Sequence, residues 1–171
     1  QEYEFDIVVD PKMSFGTGHH DTTFLMINKL LSINLEEKKV LDVGCGTSVL
    51  SILCEKKGAL SIRAIDIDQQ AYLNSMENID LNSCENILVS QVDIFSLDYS
   101  LFDVILANIN RNVLLSEMSE YIQRLSKHGV LILSGFFDSD FDKINDSVLA
   151  LGLNLRSKEN KNKWQCLVYE K

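Results

Sequence analysis

Proline is almost absent from this chain, and its cysteines show none of the spacings that metal sites or disulfide frameworks need. One proline occurs in 171 residues, and the four cysteines, Cys45, Cys54, Cys84 and Cys166, form no close pair. Zinc sites and disulfide scaffolds depend on closely spaced cysteines. We therefore interpret the four as ordinary buried or half-buried thiols, and we expect no bound metal.

Long apolar runs are also missing. The longest stretches, such as residues 104–107 and 129–133, fall far short of the roughly 20 residues that a membrane-spanning helix needs. Residues 1–6 contain neither the basic leader nor the apolar stretch of a secretory signal. The sequence therefore predicts a cytoplasmic protein with no membrane association.

Positive charge is scarce. Sixteen Lys and Arg residues stand against 25 Asp and Glu residues, for a net charge of −9. This balance disfavours bulk binding of nucleic acid, which relies on contacts between basic side chains and phosphates. The acidic surface either attracts a basic protein substrate or only keeps the chain, expected to be a monomer, in solution.

From residue 39 onward, short β-branched runs alternate with segments of helical periodicity, which is typical of a parallel sheet flanked by helices. The predicted strands are 40–43, 62–65, 87–89, 103–107 and 130–133, and the predicted helices are 49–57, 69–82, 113–127 and 141–151. Gly58 and Gly129 follow two of these helices as expected C-terminal caps. An alternating pattern at 153–157 and 164–169, around a polar turn at 158–163, predicts a terminal antiparallel hairpin.

These patterns predict one α/β domain. Asp21 stands where a capped helix would start, and the glycine-bearing loop Phe15-Gly16-Thr17-Gly18 precedes it. We therefore divide the chain into an N-terminal segment with this loop, residues 1–20, and a single domain at residues 21–171.

A glycine pair lies between the first strand and its helix. Gly44 and Gly46 permit a sharp turn and the approach of a ligand to bare backbone, and the helix that follows offers free N–H groups. A dinucleotide-binding turn would have a third glycine where Val49 stands, and no lysine between Val40 and Cys54 could complete a phosphate-binding loop. NAD and nucleoside triphosphates are therefore disfavoured, although the pair could also serve the turn alone.

Acidic residues follow the second and third strands. Asp66 stands where a carboxylate can accept both hydroxyls of a ribose, and Asp68 is placed to cap the next helix. In the alternative interpretation both residues are caps. Asp93, after the third strand, is a candidate acceptor for the amino group of adenine or an ordinary loop carboxylate.

An uncharged amide, Asn108, ends the fourth strand, at the edge where open sheets bind ligands. Its carbonyl can hold an amine by a hydrogen bond without adding charge, and can so orient the amine for a reaction. His19 and His20 adjoin the first glycine loop, but His128 is too distant to complete a metal triad. We expect a positioning or capping role for both.

Four segments resemble the PrmA family of ribosomal protein L11 methyltransferases. They are Phe15-Gly16-Thr17-Gly18-His19-His20-Asp21-Thr22-Thr23, Asp42-Val43-Gly44-Cys45-Gly46, Ile65-Asp66-Ile67-Asp68 and Ala107-Asn108-Ile109. The first is the most specific, because many methyltransferases share the other patterns. Ser48, where the superfamily usually has glycine, and Asp21, where the family often has proline, depart from the pattern.

The resemblance implies a doubly wound, mostly parallel seven-stranded sheet of the class I methyltransferase type, ending in an antiparallel hairpin. It implies S-adenosylmethionine as cofactor and methyl transfer to lysine side-chain and N-terminal amines of one basic protein of the large ribosomal subunit. Thr23, Gly44, Asp66 and Asn108 would contact the cofactor, and Asn108 would also face the amine. Phe15 and Thr17 would help to close the site, with Gly16 and Gly18 permitting a lid movement.

Two other functions remain open. The chain could methylate another acceptor, such as an RNA base, another protein or a small molecule, or it could be a binding domain without catalysis. Enzymes that act on base amines commonly carry Asn-Pro-Pro-Tyr where this chain has Asn108-Ile109-Asn110-Arg111. We expect the chain to lack the recognition domain that usually precedes this family's catalytic domain.

Overall fold

A computed structural model of the chain describes residues 4–10, 12 and 20–171. Its helices are α1 (Asp21–Ser32), α2 (Val49–Lys56), α3 (Gln69–Leu81), α4 (Arg111–Arg124) and α5 (Phe141–Ala150). Its strands are β1 (Lys39–Val43), β2 (Ser61–Ile65), β3 (Ile87–Ser90), β4 (Phe102–Asn108), β5 (Leu125–Phe137), β6 (Asn154–Lys161) and β7 (Trp164–Glu170).

The seven strands form one sheet in the order β3-β2-β1-β4-β5-β7-β6. The first five strands are parallel, and β7 and β6 join antiparallel beside β5. The predicted doubly wound sheet with a terminal hairpin is confirmed. Its strand order reverses between β1 and β4, which is where open α/β sheets form a ligand crevice.

Alternate residues of the central strands feed two separate cores. Val40 and Val104 pack with α1 and α2 on one face of the sheet, and Leu41 and Ile105 pack with α4 and α5 on the other. This period of two, with apolar residues on both faces, explains the unbroken apolar run at residues 104–107 of β4 and the apolar pair Val40-Leu41 of β1. Among the described residues no helix is long and apolar enough to cross a bilayer.

Two predicted details were wrong around β5. Helix α4 ends at Arg124 instead of continuing to residue 127, because Leu125 pairs with Phe102 and the Ser126 hydroxyl donates to the Phe102 carbonyl. Gly129 therefore caps no helix and lies inside β5. The left-handed residue there is His128, with φ of 62°.

Two further boundaries differ from the prediction. The hairpin turn is only Asn162-Lys163, both at positive φ, because the polar residues 158–161 form an edge strand and not a loop. Helix α1 is capped by His20 instead of Asp21, since the His20 side chain accepts from the Thr22 N–H. Gly58 follows α2 at φ 86°, as predicted. The four thiols are free, and only Cys84 is half-buried instead of buried.

Three asparagines on one face of α3 hold the N-terminal segment at residues 8–10. Asn74, Asn78 and Asn82 are spaced four residues apart, and their amides pair with main-chain groups of that segment. Asn78 also donates to the carbonyl of Thr47 at 3.1 Å, in the loop that leaves β1. Through Asn78, the segment at residues 8–10 is thereby linked to the loop after β1.

Lys57 fixes the C-terminal end of α1. Its Nζ lies 2.7, 2.9 and 2.9 Å from the carbonyl oxygens of Leu30, Leu31 and Ile33, at the helix end where carbonyls lose their regular helical partners. We expect Lys57→Met to lower the free energy of unfolding by about 1–3 kcal/mol, because three carbonyls lose a charged donor. Urea denaturation measures the change.

The neighbouring Lys56 is exposed, so Lys56→Met is the matched control and should stay within about 0.5 kcal/mol of the unchanged chain. Equal losses in the two variants would contradict the capping role of Lys57.

Candidate functional site

A cavity of about 720 Å³ opens at the carboxyl edge of the sheet, within the usual size range of small-molecule sites. Every parallel strand except β3 brings residues of its own C-terminal end to the cavity, and the loop after β3 contributes as well. The described lining residues are His20, Thr22, Val43, Gly44, Gly46, Ile65, Asp66, Ile67, Asp68, Gln70, Ala71, Val92, Asp93, Ile94, Asn108, Ile109, Asn110, Val113, Glu117, Gly135 and Trp164.

The glycine loop is tied to the neighbouring strand by its backbone. The N–H groups of Gly44 and Cys45 both donate to the Ile65 carbonyl, at 2.9 and 3.0 Å. Gly44 and Gly46 have φ of 68° and 55°, which side chains disfavour. Ser48 adopts the same left-handed conformation, with φ of 60°, so the position that departs from the superfamily pattern still takes glycine-like geometry.

Asp66 lies beside this loop, as the sequence predicts. One carboxylate oxygen accepts from the Gly46 N–H at 3.0 Å, and the other accepts from the Asp68 N–H at 3.0 Å. Each oxygen keeps a free lone pair, so the carboxylate can still accept hydroxyls from a ligand. Asp68 caps α3 through a 2.8 Å hydrogen bond from the Ala71 N–H, which confirms its predicted cap.

Two more carboxylates line the cavity beyond Asp66. Asp93 accepts from the Ser96 N–H at 2.8 Å, and hydrogen bonds from Ser96 lower the pKa of Asp93. Glu117, on α4, accepts from the Tyr121 hydroxyl. Burial raises the pKa of Glu117, with the negative charge of Asp93 adding to the shift and the Tyr121 hydrogen bond opposing it. Asp93 thus accepts a hydrogen bond within its loop and also lines the cavity.

Asn108 lines the cavity and carries an acceptor with no partner among the described residues. Its backbone pairs with Ser134 at the end of the β4–β5 ladder, and its Oδ1 is buried with no hydrogen-bond partner among the described residues. Buried polar atoms without partners are rare in native proteins. The unpaired Oδ1, on a residue that lines the cavity, marks Asn108 as a candidate ligand contact.

One wall of the cavity is aromatic. Trp164 on β7 packs against His20 with ring centroids 4.9 Å apart, and against Phe137 with centroids 4.2 Å apart. The two threonines at the start of α1 differ in their surroundings. Thr22 lines the cavity, whereas the Oγ1 of Thr23 is buried with no partner among the described residues. Contact of Thr23 with a cofactor stays a prediction.

Several N-terminal residues named from the sequence lie outside the described part of the chain. These are Phe15, Gly16, Thr17, Gly18 and His19. His20 is described, and its capping of α1 agrees with the structural role expected for it.

The charge of the cavity has one sign. Asp66, Asp68, Asp93 and Glu117 line it, and the described lining residues include no lysine or arginine. Phosphate groups are normally held by such cations, so this cavity is poorly suited to a nucleotide phosphate. It favours a ligand that is neutral or positively charged.

The lining residues to which sequence reasoning gave no site role include Glu117, Gly135, Ile109 and Trp164. Glu117 lies in an ordinary amphipathic helix and Trp164 in an ordinary strand, so no local pattern singles them out. Gly135 follows the end of the apolar core of the fifth strand, where a glycine signals a close backbone contact. That signal could have been used.

The sequence is similar to proteins of known families along its whole length. The family model described as ribosomal protein L11 methyltransferase (PrmA) matches residues 1–171. A relative named ribosomal protein L11 methyltransferase, from Bacteroides thetaiotaomicron, is 45% identical over 166 residues, which are 96% of this chain and 59% of the relative. The chain thus spans about 59% of the length of that relative.

The fold is also similar to solved structures. The ribosomal protein L11 methylase from Lactobacillus delbrueckii subsp. bulgaricus superposes with a TM-score of 0.89 at 28% identity, covering 95% of this chain and 83% of that one. A methyltransferase from Pyrococcus furiosus gives a TM-score of 0.78 at 19% identity, covering 99% and 90%. The second likeness concerns the fold alone.

A buried carboxyl lies directly under the glycine loop. Asp42 is 1% exposed and accepts from the Ser51 hydroxyl at 2.6 Å. Burial raises the pKa of Asp42 from 3.8 to about 6, the Ser51 hydrogen bond opposes the shift and the charge of Asp66 adds to it.

This shift makes the stability of the protein depend on pH. Because the folded state holds the Asp42 proton more tightly than the unfolded state, the stability contributed by this group is complete below pH 3.8 and falls until about pH 6. We expect Asp42→Asn, which cannot ionise, to gain about 2–3 kcal/mol relative to the unchanged chain across that range. Urea denaturation between pH 4 and 7.5 measures the difference, with Asp80→Asn, exposed on α3, as control. Parallel profiles for Asp42→Asn and the unchanged chain would contradict it.

Proposed function

Because the chain belongs to the PrmA family of ribosomal protein L11 methyltransferases, we propose that it is the methyl-transferring domain of an S-adenosylmethionine-dependent enzyme. The acceptors would be lysine side-chain and N-terminal amines of ribosomal protein L11, a basic protein of the large subunit. Residues 21–171 would form the catalytic domain, and residues 1–20 would carry the loop that closes the site. One juxtaposition supports this most: the glycine loop, Asp66 and Asn108 line one cavity, and the described lining includes no lysine or arginine.

The cavity residues fit S-adenosylmethionine. Asp66 would hold the ribose hydroxyls, and the bare backbone of Gly44 and Gly46 would lie against the ligand. Asp93 would accept from the adenine amino group. A sulfonium is cationic, so four carboxylates and the lack of Lys or Arg in the described lining suit it better than they suit NAD or ATP.

The bound cofactor supplies a methyl group already activated by its positively charged sulfur, so the transfer is a direct displacement without a covalent enzyme intermediate. The protein's task is then orientation. The Oδ1 of Asn108 would accept an N–H of the attacking amine and point the nitrogen lone pair towards the methyl group. An amide suits this role because, unlike a carboxylate, it does not stabilise the protonated and unreactive ammonium form.

The aromatic wall would border the approach of the acceptor. Trp164 and His20 line the cavity, and Phe137 extends the ring cluster towards solvent with an exposure of 46%. Rings of this kind cover the aliphatic stem of a lysine and exclude water from the reacting nitrogen. Closure over this wall by Phe15 and Thr17 belongs to the same proposal.

The role of Asp66 is tested by binding. We expect Asp66→Ala to weaken binding of S-adenosylhomocysteine by about 1–3 kcal/mol, roughly 5- to 150-fold, through loss of charge-assisted hydrogen bonds to the ribose and of the brace on Gly46. Isothermal titration calorimetry measures the affinity. Asp80→Ala, at an exposed position on α3 outside the cavity lining, serves as control. Unchanged affinity in Asp66→Ala would remove this carboxylate from the site.

The role of Asn108 is tested by separating turnover from binding. We expect Asn108→Ala to lower kcat about 10- to 100-fold, because one orienting hydrogen bond is lost in the transition state. Binding of S-adenosylhomocysteine should change less than about threefold. Asn112→Ala, at an exposed position on α4, is the control. Equal losses of turnover and affinity would make Asn108 a binding residue only.

The acceptor is tested by labelling. The chain is incubated with methyl-labelled cofactor and dissociated large ribosomal subunits, either untreated or with all protein amines blocked by reductive ethylation. We expect label in one basic protein, and loss of that label after blocking. Label in RNA, or label that survives the blocking, would overturn the amine assignment.

A further inference from the structure

We infer that Ile109 is a positioning residue that fixes the direction of Asn108 by lying between two glycines, Gly44 on one side and Gly135 on the other. The inference rests on the proposed role of Asn108 in orienting the acceptor amine. It concerns the three residues 108–110, which leave β4 and enter α4.

The side chain of Ile109 packs against the backbone of Gly44. A Cβ at Gly44 would stand 2.3 Å from Cγ2 of Ile109, closer than any real contact allows, and Gly44 has φ of 68°. The loop cannot retreat, because the Gly44 N–H is bonded to the Ile65 carbonyl at 2.9 Å. The β-branch of Ile109 is therefore seated against bare backbone.

The backbone of Ile109 packs against the backbone of Gly135. A Cβ there would stand 2.3 Å from the Ile109 carbonyl oxygen and 2.7 Å from both its carbonyl carbon and its nitrogen. β5 is itself anchored one residue earlier, where the Ser134 hydroxyl donates to the Gln165 carbonyl at 2.8 Å. Side chain and main chain of Ile109 are thus held from opposite sides.

The residues on either side of Ile109 are fixed as well. Asn108 pairs with Ser134 in the sheet, and Asn110 caps α4 by accepting from the N–H groups of Asn112 and Val113 at 3.1 and 3.2 Å. By contrast, no hydrogen bond among the described residues holds the Oδ1 of Asn108. Its direction therefore depends on the backbone that Ile109 holds in place.

Two substitutions separate this role from ordinary packing. Ile109→Val keeps Cβ and both γ branches, including the Cγ2 that meets Gly44, but loses a methyl group. Ile109→Leu keeps the volume but removes the β-branch. We expect Ile109→Val to keep kcat within about twofold and Ile109→Leu to lower it about tenfold or more, since small misplacements of reacting groups are costly. A role in packing alone predicts that Leu is tolerated at least as well as Val.

A double-mutant cycle then tests whether Ile109 acts through Asn108. If it does, Ile109→Leu lowers kcat in the natural background and has no further effect in the Asn108→Ala background. Independent, multiplying losses would overturn the inference. Failure of the proposed function is distinguishable, because Asn108→Ala alone would then leave kcat unchanged.

The contact between Gly135 and Ile109 can be tested with Gly152 as a matched control. Gly135 and Gly152 have φ of 94° and 91°, but a Cβ at Gly152 would meet nothing within 4 Å. Gly135→Ala and Gly152→Ala therefore carry the same backbone strain, and only the first displaces Ile109. We expect a loss of kcat of about tenfold or more in Gly135→Ala and less than twofold in Gly152→Ala. Equal kcat in the two overturns the inference, and if Gly135→Ala does not fold, the two Ile109 variants and the cycle decide.

Discussion

The site depends on the hydrogen bonds that join the loop after β1 to the end of β2. Gly44 and Cys45 donate to the Ile65 carbonyl, and Gly46 donates to the Asp66 carboxylate. These contacts place three amides and one carboxylate at the same edge of the sheet, where the strand order reverses. Without them the glycines would only be flexible, and Asp66 would be one more surface acid.

Electrostatics then decide what this edge can accept. The excess of acids over bases across the whole chain is continued inside the cavity, where the described lining carries four carboxylates and no lysine or arginine. A general surplus of negative charge says little by itself, because it also keeps proteins in solution. The concentration of negative charge around a cavity of small-molecule size is informative, because this charge disfavours phosphates and favours a cationic ligand such as a sulfonium.

Much of the fold and part of the site follow from local sequence. Apolar runs and helical periodicity located the sheet, and Asp66 and the glycine loop could be identified because they directly follow predicted strands in the sequence. The start of β5 was missed, because pairing between Phe102 and Leu125, far apart in sequence, overrides local helical preference. Glu117 and the fit of Ile109 against Gly135 depend on contacts across elements, and no window of sequence contains them.

Three departures from ordinary protein rules lie in the cavity lining or in the strand and loop beside it. Ser48 adopts a left-handed conformation without being glycine, Asp42 buries a carboxyl, and Asn108 leaves a buried acceptor unpaired. Each arrangement costs stability unless something compensates for it. A fold under selection for stability alone would remove them, whereas a ligand that pairs with Asn108 would offset part of the cost. Their clustering is therefore an argument for function that is independent of any resemblance, because consistent sequences break local rules chiefly where a site requires it.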